Sequence, residues 1–189
     1  MKKDGLTFGC MAGIAMILTG PALLGSRTAA AEDLPRQGDF HIAYTSTAPV
    51  AAKPVPIGNN KMASAAINMM TAVNLSGGKL LHNMAGRCTT APVIDTAAKT
   101  VENQGYCDYV DADGDHVYEQ WRYPLQALGP SLEGTAEWIG GTGKFAGLTG
   151  TMTITSQRLA SATDGAVQFV GEKHGRYSLG DAVAAAKSE

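Results

Sequence analysis

The sequence predicts an all-β domain built as an antiparallel barrel or sandwich. Apolar and polar residues alternate with a period of two in several runs, which is typical of strands with one buried face. Clusters of turn residues separate these runs, for example Ser76-Gly77-Gly78, Asp113-Gly114 and Asp164-Gly165. A helical period is found only at residues 181–187, where a short terminal helix and a frayed tail both agree with the sequence. Many strands with short links and no crossover helix favour antiparallel pairing.

The chain begins with the features of a secretory signal peptide. Lys2 and Lys3 precede an apolar stretch at residues 6–24, and small residues at 29–31 suit cleavage by a signal peptidase. We therefore expect residues 1–31 to be removed and residues 32–189 to form a single β-barrel domain that is periplasmic or secreted. The apolar stretch before Pro21 is short for a membrane span, so no span is expected after cleavage.

Seven runs of the sequence are predicted to form strands. They are residues 40–44, 65–75, 100–110, 116–124, 131–139, 151–159 and 167–179. Residues 32–38 are polar and are expected to be loose. Pro49, Pro54 and Pro56 indicate an irregular or edge segment before Lys61, because proline cannot donate a hydrogen bond to a strand ladder.

Two cysteines, Cys88 and Cys107, remain in the predicted exported chain. Such a pair typically forms a disulfide in an oxidising compartment, and closing a loop of about 20 residues stabilises the fold by about 3 kcal/mol in the chain-entropy model. A redox-active pair is the alternative, but the spacing is not C-x-x-C and no βαβ pattern surrounds it. The sequence therefore favours a structural bridge.

The charge pattern argues against nucleic acid as a partner. Residues 1–31 carry three basic residues and one acidic residue, so their removal takes the net charge from −2 to −4. No basic run or patch follows in the remaining chain, although binding to nucleic acid usually requires one.

Residues 140–150 carry five glycines between two predicted strands. Gly141, Gly143 and Gly147 are expected to be structural, each requiring a positive φ angle or close backbone contact. Their spacing is one residue longer than the dinucleotide fingerprint, and no helical pattern follows. Phe145 stands where a phosphate-binding loop needs serine or threonine. The segment therefore indicates a wide connection between strands, and no cofactor is predicted.

The run Trp138-Ile-Gly-Gly-Thr-Gly-Lys-Phe-Ala-Gly147, with Gly150 and an alternating strand after it, resembles the hallmark segment of the allene oxide cyclase and dirigent barrel superfamily. Uncharacterised exported bacterial members also carry a cysteine before an acidic D-x-D-G-D turn, similar to residues 107–115 here. The resemblance covers most of residues 100–177. It implies an eight-stranded antiparallel barrel with a central cavity and, as in characterised members, cofactor-free work on hydrophobic small molecules. It carries over no catalytic residue by position.

Three aspartates, Asp111, Asp113 and Asp115, crowd a single turn. An EF-hand calcium loop needs glycine at its sixth position and glutamate at its twelfth, but His116 and Arg122 stand there. The favoured interpretation is a hairpin with Asp113-Gly114 at the centre of a type I′ turn. A weak surface cation site is left open as the alternative.

A two-residue turn at Asp113-Gly114 fixes which residues of the flanking strands face each other. Counting outward from it places four cross-strand pairs on one face, because side chains repeat every second residue. The predicted pairs are Val110 with Val117, Asp108 with Glu119, Tyr106 with Trp121, and Gln104 with Tyr123.

The opposed carboxylates of Asp108 and Glu119 require an explanation, because like charges that face each other destabilise a sheet. If this face lines a cavity, crowding and desolvation would create an acid/base pair beside aromatic rings. If it faces solvent, Lys173 or Arg176 would neutralise the carboxylates. The cavity interpretation makes Asp108 and Glu119 candidate catalytic residues. The candidate ligand-binding residues on this face are Tyr106, Trp121 and Tyr123.

No metal site is predicted, because the four histidines lack the H-x-H and H-E-x-x-H spacings of metal ligands. The family resemblance and the aromatic face together favour an exported barrel that binds a small hydrophobic molecule, and they leave open whether it also cyclises or isomerises that molecule without a cofactor. The alternative is a non-catalytic structural or interaction domain with a filled barrel, and a homo-oligomer is compatible with either. An open apolar cavity would favour the first function, and close packing would favour the second.

Overall fold

Strands make up almost all of the regular structure. The computed structural model describes residues 34–49, 53–160, 162 and 164–180; the predicted signal peptide and the predicted terminal helix lie outside them. In chain order the strands are β1 (Gln37–Pro49), β2 (Val55–Pro56), β3 (Lys61–Ala63), β4 (Ala66–Asn74), β5 (Met84–Thr90), β6 (Val93–Asp95), β7 (Thr100–Val110), β8 (His116–Ala127), β9 (Ser131–Gly141), β10 (Leu148–Arg158) and β11 (Ala166–Leu179). Within the described residues, no helix has the length and apolar character needed to cross a membrane.

Eight of these strands close into an antiparallel barrel. The order around the barrel is β1-β11-β10-β9-β8-β7-β5-β4, and β4 pairs with β1 to complete the circle. The predicted all-β fold and eight-stranded antiparallel barrel are therefore confirmed. Because the barrel is closed, each of the eight strands pairs with a neighbour on both sides over at least part of its length. Strands β2, β3 and β6 form a small extension that pairs with the first residues of β7.

The seven predicted strands correspond to β1, β4 and β7–β11, whereas β2, β3, β5 and β6 were missed. Strand β5 shows why. Its buried residues, Met84, Gly86 and Cys88, alternate with exposed Ala85 and Arg87 in the structure. A small glycine inside and a small alanine outside remove the hydrophobic contrast from which a period of two is recognised.

The barrel interior is densely packed at one end. This end contains the first residues of β1, the last residues of β11, and Leu80 and Leu81 from the connection between β4 and β5, both almost fully buried. Phe40 packs on Trp138 with 5.5 Å between ring centroids. Phe145 completes the packing from the β9–β10 connection and has no exposed surface.

The glycine-rich connection makes close backbone contacts at its predicted structural glycines. Gly143 and Gly147 have φ angles of 51° and 75°, in the left-handed region that favours glycine. A Cβ atom on Gly141 would lie 2.7 Å from the backbone oxygens of His116 and Phe145. The same atom on Gly143 would lie 1.8 Å from a carboxylate oxygen of Asp115. The connection therefore passes directly against the acidic turn.

Lys144 joins this connection to the three aspartates of the acidic turn. Its Nζ lies 2.5 Å from carboxylate oxygens of both Asp111 and Asp113, and 3.8 Å from Asp115. Its backbone N–H also donates to Asp115 at 3.2 Å. The hydrogen bond to Asp111 raises the pKa of Lys144 above its ordinary value. The ammonium thus occupies the position that a bound cation would need. It also links the glycine-rich connection to the acidic turn.

The predicted register of the β7–β8 hairpin is wrong by one residue. Val110 pairs with His116, and Asp111 N–H donates to Asp115 O, which leaves three residues in the loop instead of two. The Asp111 carboxylate stabilises this loop by accepting the backbone N–H groups of Asp113 and Asp115 at 2.9 and 3.0 Å. Gly114 has a φ angle of 84°, as expected for a three-residue hairpin with a bulge. A shift of one residue moves every side chain of one strand to the opposite face of its partner.

The predicted disulfide is confirmed. Cys88 and Cys107 occupy directly opposite positions in the antiparallel ladder of β5 and β7, with Cα atoms 4.0 Å apart, and are bonded to each other. Both are buried and point into the barrel.

The clash at Gly143 can be separated from the strain of a positive φ angle. We expect Gly143→Ala to lower the free energy of unfolding by clearly more than Gly77→Ala, measured by urea denaturation. Gly77 also has a positive φ angle, of 79°, but a Cβ atom there would meet no atom within 4 Å. The control should cost about 1–2 kcal/mol from backbone strain alone. Equal losses in the two variants would show that the contact with Asp115 is unimportant.

Removal of the disulfide should destabilise the barrel. Replacing both Cys88 and Cys107 by serine is expected to lower the free energy of unfolding by about 2–5 kcal/mol. Wild-type protein unfolded in the presence of a reductant should lose a similar amount, which separates the cross-link from the change of side chain. Non-reducing mass analysis should find a linked peptide; two freely titratable thiols would refute the bridge.

Candidate ligand cavity

The barrel end opposite Phe145 contains a cavity of about 300 Å³. Its wall is mainly apolar and includes Met70, Trp121 and Ile154, together with the Cys88–Cys107 disulfide. Its rim includes Leu128 and Pro130 of the β8–β9 turn, which are exposed to solvent. The cavity therefore opens at the end of the barrel where β1 and β8 finish.

The floor of the cavity carries a buried ion pair. Glu119 of β8 contacts Lys173 of β11, and the side chains are only 1% and 2% exposed. Lys173 Nζ also donates a hydrogen bond of 2.8 Å to the Tyr109 hydroxyl. The rings of Tyr44, Tyr109 and Trp138 lie 5.0–5.9 Å from the ammonium. Strands β8 and β11 are separated by β9 and β10, so the pair joins opposite walls across the interior.

Burial brings the pKa values of this pair towards each other. Desolvation raises the pKa of Glu119 above its ordinary value of 4.5, although the charge and hydrogen bond of Lys173 act in the opposite direction. Desolvation also lowers the pKa of Lys173 below 10.5, against the attraction of Glu119. Because the two pKa values converge, moving a proton from the ammonium to the carboxylate costs less free energy than it does in water.

Two tyrosine hydroxyls extend the polar floor. The Tyr44 hydroxyl donates to Thr155 O at 2.7 Å and lies 3.2 Å from the Tyr123 hydroxyl. Since the single Tyr44 proton is committed to Thr155, Tyr123 is the donor in the second contact. Burial raises the pKa of both tyrosines, so both hydroxyls stay protonated at neutral pH.

Two buried polar atoms of the cavity wall lack a hydrogen-bond partner among the described residues. They are Ser46 Oγ and Asn68 Oδ1. Buried polar atoms are usually paired, with protein or with water, because an unpaired one costs about 1–3 kcal/mol. Both atoms are therefore available to a polar group of a bound molecule or to water.

The structure separates the predicted site residues by face. Glu119, Trp121 and Tyr123 line the cavity. Tyr106 is 54% exposed, and Asp108 lies on the outer surface with Oδ1 2.6 Å from His116 Nδ1. The predicted pairing of Asp108 with Glu119 and of Tyr106 with Trp121 is wrong, because the three-residue loop puts the members of each pair on opposite faces.

Lys173, the partner of Glu119, was predicted from the sequence only as a surface charge that neutralises the carboxylates. Lys173 lies between Glu172 and His174 in β11, so its neighbours give no hydrophobic contrast that marks it as buried. Tyr44 and Tyr109 were in predicted strands, but their convergence on Lys173 depends on the closure of the barrel. The alternation of β11 could have indicated that Lys173 is buried. Lys173 and Tyr177 share one face of the strand, and Tyr177 is apolar enough to face the core.

The architecture is similar to that of a solved protein, described as the structure of the pterocarpan synthase dirigent protein GePTS1. The TM-score is 0.50 at 13% sequence identity, over 77% of this chain and 88% of that one. This chain has the dirigent-like barrel fold. No family model matches the sequence, and no curated protein matches it.

Replacing one member of the ion pair of the dirigent-like barrel should lower the free energy of unfolding more than replacing both members with apolar residues. Glu119→Gln leaves a buried ammonium without its counter-ion, so we expect a loss of about 3–5 kcal/mol in the free energy of unfolding. The double variant Glu119→Leu/Lys173→Met buries no charge and should lose much less. Asp39→Asn is the control, since it breaks an exposed ion pair with Arg176 of 2.9 Å and should cost at most about 1 kcal/mol. Losses that add in the cycle of Glu119→Leu, Lys173→Met and the double variant would contradict a coupled pair.

Removing Lys173 alone should change the pH dependence of stability. In Lys173→Met the charge and the hydrogen bond of Lys173 are lost and only the hydrogen bond of Tyr109 still lowers the Glu119 pKa, so this pKa rises further above 4.5. The folded state then binds more protons than the unfolded state, and stability falls as pH rises from about 4.5 through the folded pKa. Urea midpoints of the dirigent-like barrel between pH 4 and 8 should fall more steeply for Lys173→Met than for wild type. Parallel profiles would show that Glu119 escapes burial in the variant.

Proposed function

We propose that this dirigent-like barrel binds a small hydrophobic molecule in its cavity. The observation that carries the proposal is the cavity itself, which combines an apolar wall with a polar floor and a solvent-exposed rim. Pockets of about 300–1,000 Å³ with few polar groups are typical of small-molecule sites. The cavity lies at the lower limit of this range, which favours a compact ligand.

The polar groups define the chemistry that the ligand should carry. Ser46 and Asn68 offer an unused hydroxyl and an unused acceptor oxygen on the wall. Glu119 and Lys173 lie deepest, so an oxygen-bearing group of the ligand would face the ion pair. We propose a mainly apolar ligand with a hydroxyl or carbonyl group at its buried end, because such a group could pair with these atoms while the remainder contacts Trp121 and Ile154.

The ion pair also supports cofactor-free acid/base chemistry. The Glu119 carboxylate can accept a proton from one position of the ligand, and the Lys173 ammonium can donate a proton at another, which leaves the ligand isomerised and the proton count unchanged. The converging pKa values then allow the proton to return from Glu119 to Lys173. An isomerase or cyclase is therefore the enzymatic form of the proposal. The barrel named a pterocarpan synthase shares the fold at 13% identity, and its activity is not carried over.

A non-catalytic barrel is the second candidate. A large buried hydrophobic cluster fills part of the interior, and Lys173 neutralises Glu119 without help from a ligand. In that case the ion pair would serve only to join opposite walls of the barrel. The two candidates differ in what they predict for a variant that fills the cavity.

We also propose that the protein acts in the periplasm or outside the cell. The signal-like N-terminal sequence and the disulfide support this location, because disulfides persist in oxidising compartments. Terminal sequencing of protein recovered from the exported fraction should begin near Glu32. A full-length chain confined to the cytoplasm would contradict export.

A pair of neighbouring substitutions tests ligand binding. Ser46 of β1 points into the cavity and the adjacent Thr47 points outward. We expect Ser46→Phe to weaken binding of the apolar dye 1-anilinonaphthalene-8-sulfonate by at least about tenfold, whereas Thr47→Phe should change it less than about twofold. The dye should also quench Trp121 fluorescence in wild type, because this ring lies on the cavity wall.

Native mass spectrometry of protein purified from its own host provides the second measurement. A co-purified small molecule that is present in Thr47→Phe and absent in Ser46→Phe would support a ligand in the cavity. Equal dye affinity in both variants, with no co-purified molecule in wild type, would favour the non-catalytic barrel. Conversion of a recovered ligand by wild type but not by Glu119→Gln, under conditions in which circular dichroism shows the variant to be folded and dye binding shows the cavity to be intact, would identify the enzymatic form.

A further inference from the structure

Three potential metal ligands converge on the outer wall of the barrel, on the face opposite the cavity floor. Glu172 and His174 flank the inward-pointing Lys173 in β11, so both side chains point outward. His41 of β1 lies directly opposite His174 in the antiparallel ladder. The barrel thus brings together residues that are far apart in the sequence, which explains why the spacing of the histidines predicted no metal site.

The distances from the two imidazoles to Glu172 are close to the ligand separations around a small metal ion, and His174 also hydrogen-bonds Glu172 across the shorter of them. His41 Nε2 lies 3.2 Å and His174 Nε2 lies 3.1 Å from the same Glu172 oxygen, Oε2. Atoms bound to one zinc ion at about 2.0–2.1 Å in tetrahedral geometry are about 3.3 Å apart. The two imidazole rings are stacked with centroids 4.0 Å apart, and ligand atoms of all three residues lie within 4.8 Å of one another.

The His41 imidazole provides a second observation. Its Nε2 atom is buried and makes no hydrogen bond to any described residue, although Glu172 Oε2 is close. The nitrogen therefore approaches the carboxylate without the alignment that a hydrogen bond requires. The His41 backbone is held in place, because its N–H donates to Ser76 Oγ at 2.8 Å. A metal ion between the nitrogen and the carboxylate would replace this poorly aligned contact with a bond to each of them.

We propose that His41, Glu172 and His174 form a binding site for a divalent transition-metal ion, with Zn²⁺ as the physiological candidate. Two imidazoles and one carboxylate are a donor set that zinc uses when a further position is left open. The nitrogen ligands disfavour Ca²⁺ and Mg²⁺, which prefer oxygen. Glu172 and His174 are about half exposed, so the open position faces solvent and can hold water or a ligand.

The acidic turn does not compete for this role. Its three carboxylates offer only oxygen ligands, and Lys144 already contacts all three. His116 offers an imidazole to Asp108 alone, at 2.6 Å. Among the described residues, the group on β1 and β11 is the one in which two imidazoles meet a carboxylate.

Metal titration of the full chain, produced without a polyhistidine tag, tests the proposal. Isothermal titration with Zn²⁺ should give one equivalent per chain, and Co²⁺ should produce visible d–d absorption from nitrogen and oxygen ligands. Each of His41→Thr, Glu172→Gln and His174→Thr should weaken binding by at least about tenfold. Threonine is chosen because it keeps the strand preference of these outer positions. Circular dichroism and urea midpoints confirm that each variant is folded.

His116→Thr is the matched control, because it removes a surface histidine that also contacts a carboxylate. It should leave the affinity for Zn²⁺ and the Co²⁺ spectrum unchanged. Absence of stoichiometric binding in wild type would overturn the proposal. Binding that survives all three site substitutions, or that His116→Thr also abolishes, would overturn it equally. Dye binding in the cavity is a separate readout, so failure here would leave the ligand proposal unaffected.

Discussion

The buried contact between Glu119 and Lys173 is the constraint around which the interior of this barrel is organised. Two charges removed from water must be closely paired and further solvated by protein groups, or the desolvation penalty exceeds their attraction. Tyr109 supplies a hydroxyl and three aromatic rings surround the ammonium. These groups lie at the boundary between the packed end and the hollow end. The pair therefore limits how far hydrophobic packing extends and gives the cavity its polar floor.

The outside of the barrel has its own organising contact, the Lys144 ammonium among three aspartates. It holds the β7–β8 hairpin against the β9–β10 connection, so the glycine-rich segment and the acidic turn form one packed unit. The odd-numbered loop that this unit stabilises determines which residues of β7 face inward. In this register Cys107 faces inward, where it is bonded to Cys88 of β5, and Asp108 lies outside.

Much of the fold was predictable because it depends on local alternation and turn residues. The seven predicted strands, the closed eight-stranded barrel and the disulfide are all present in the structure, although four shorter strands were missed. Of the candidate site residues, Glu119, Trp121 and Tyr123 line the cavity, but their partners across the hairpin were assigned with a register error of one residue. The error arose because the dipeptide Asp113-Gly114 is compatible with both a two-residue and a three-residue loop. Lys173 and the grouping of His41 with His174 depend on contacts between distant strands, about which local patterns carry no information.

Strand β11 presents different chemistry on its two faces, and this makes the chain intolerant of insertions and deletions there. Lys173 points inward while Glu172 and His174 point outward, so an insertion or deletion of one residue before them would exchange the faces of all three at once. Gly171 and Gly175 oppose such a slip, because any Cβ atom at these positions would approach Thr155 O and Thr151 O of β10 to 2.1 and 2.3 Å. Substitutions elsewhere on the strand can be absorbed one side chain at a time. A change of length by one residue cannot, and natural variation in β11 should therefore consist mainly of changes in residue identity.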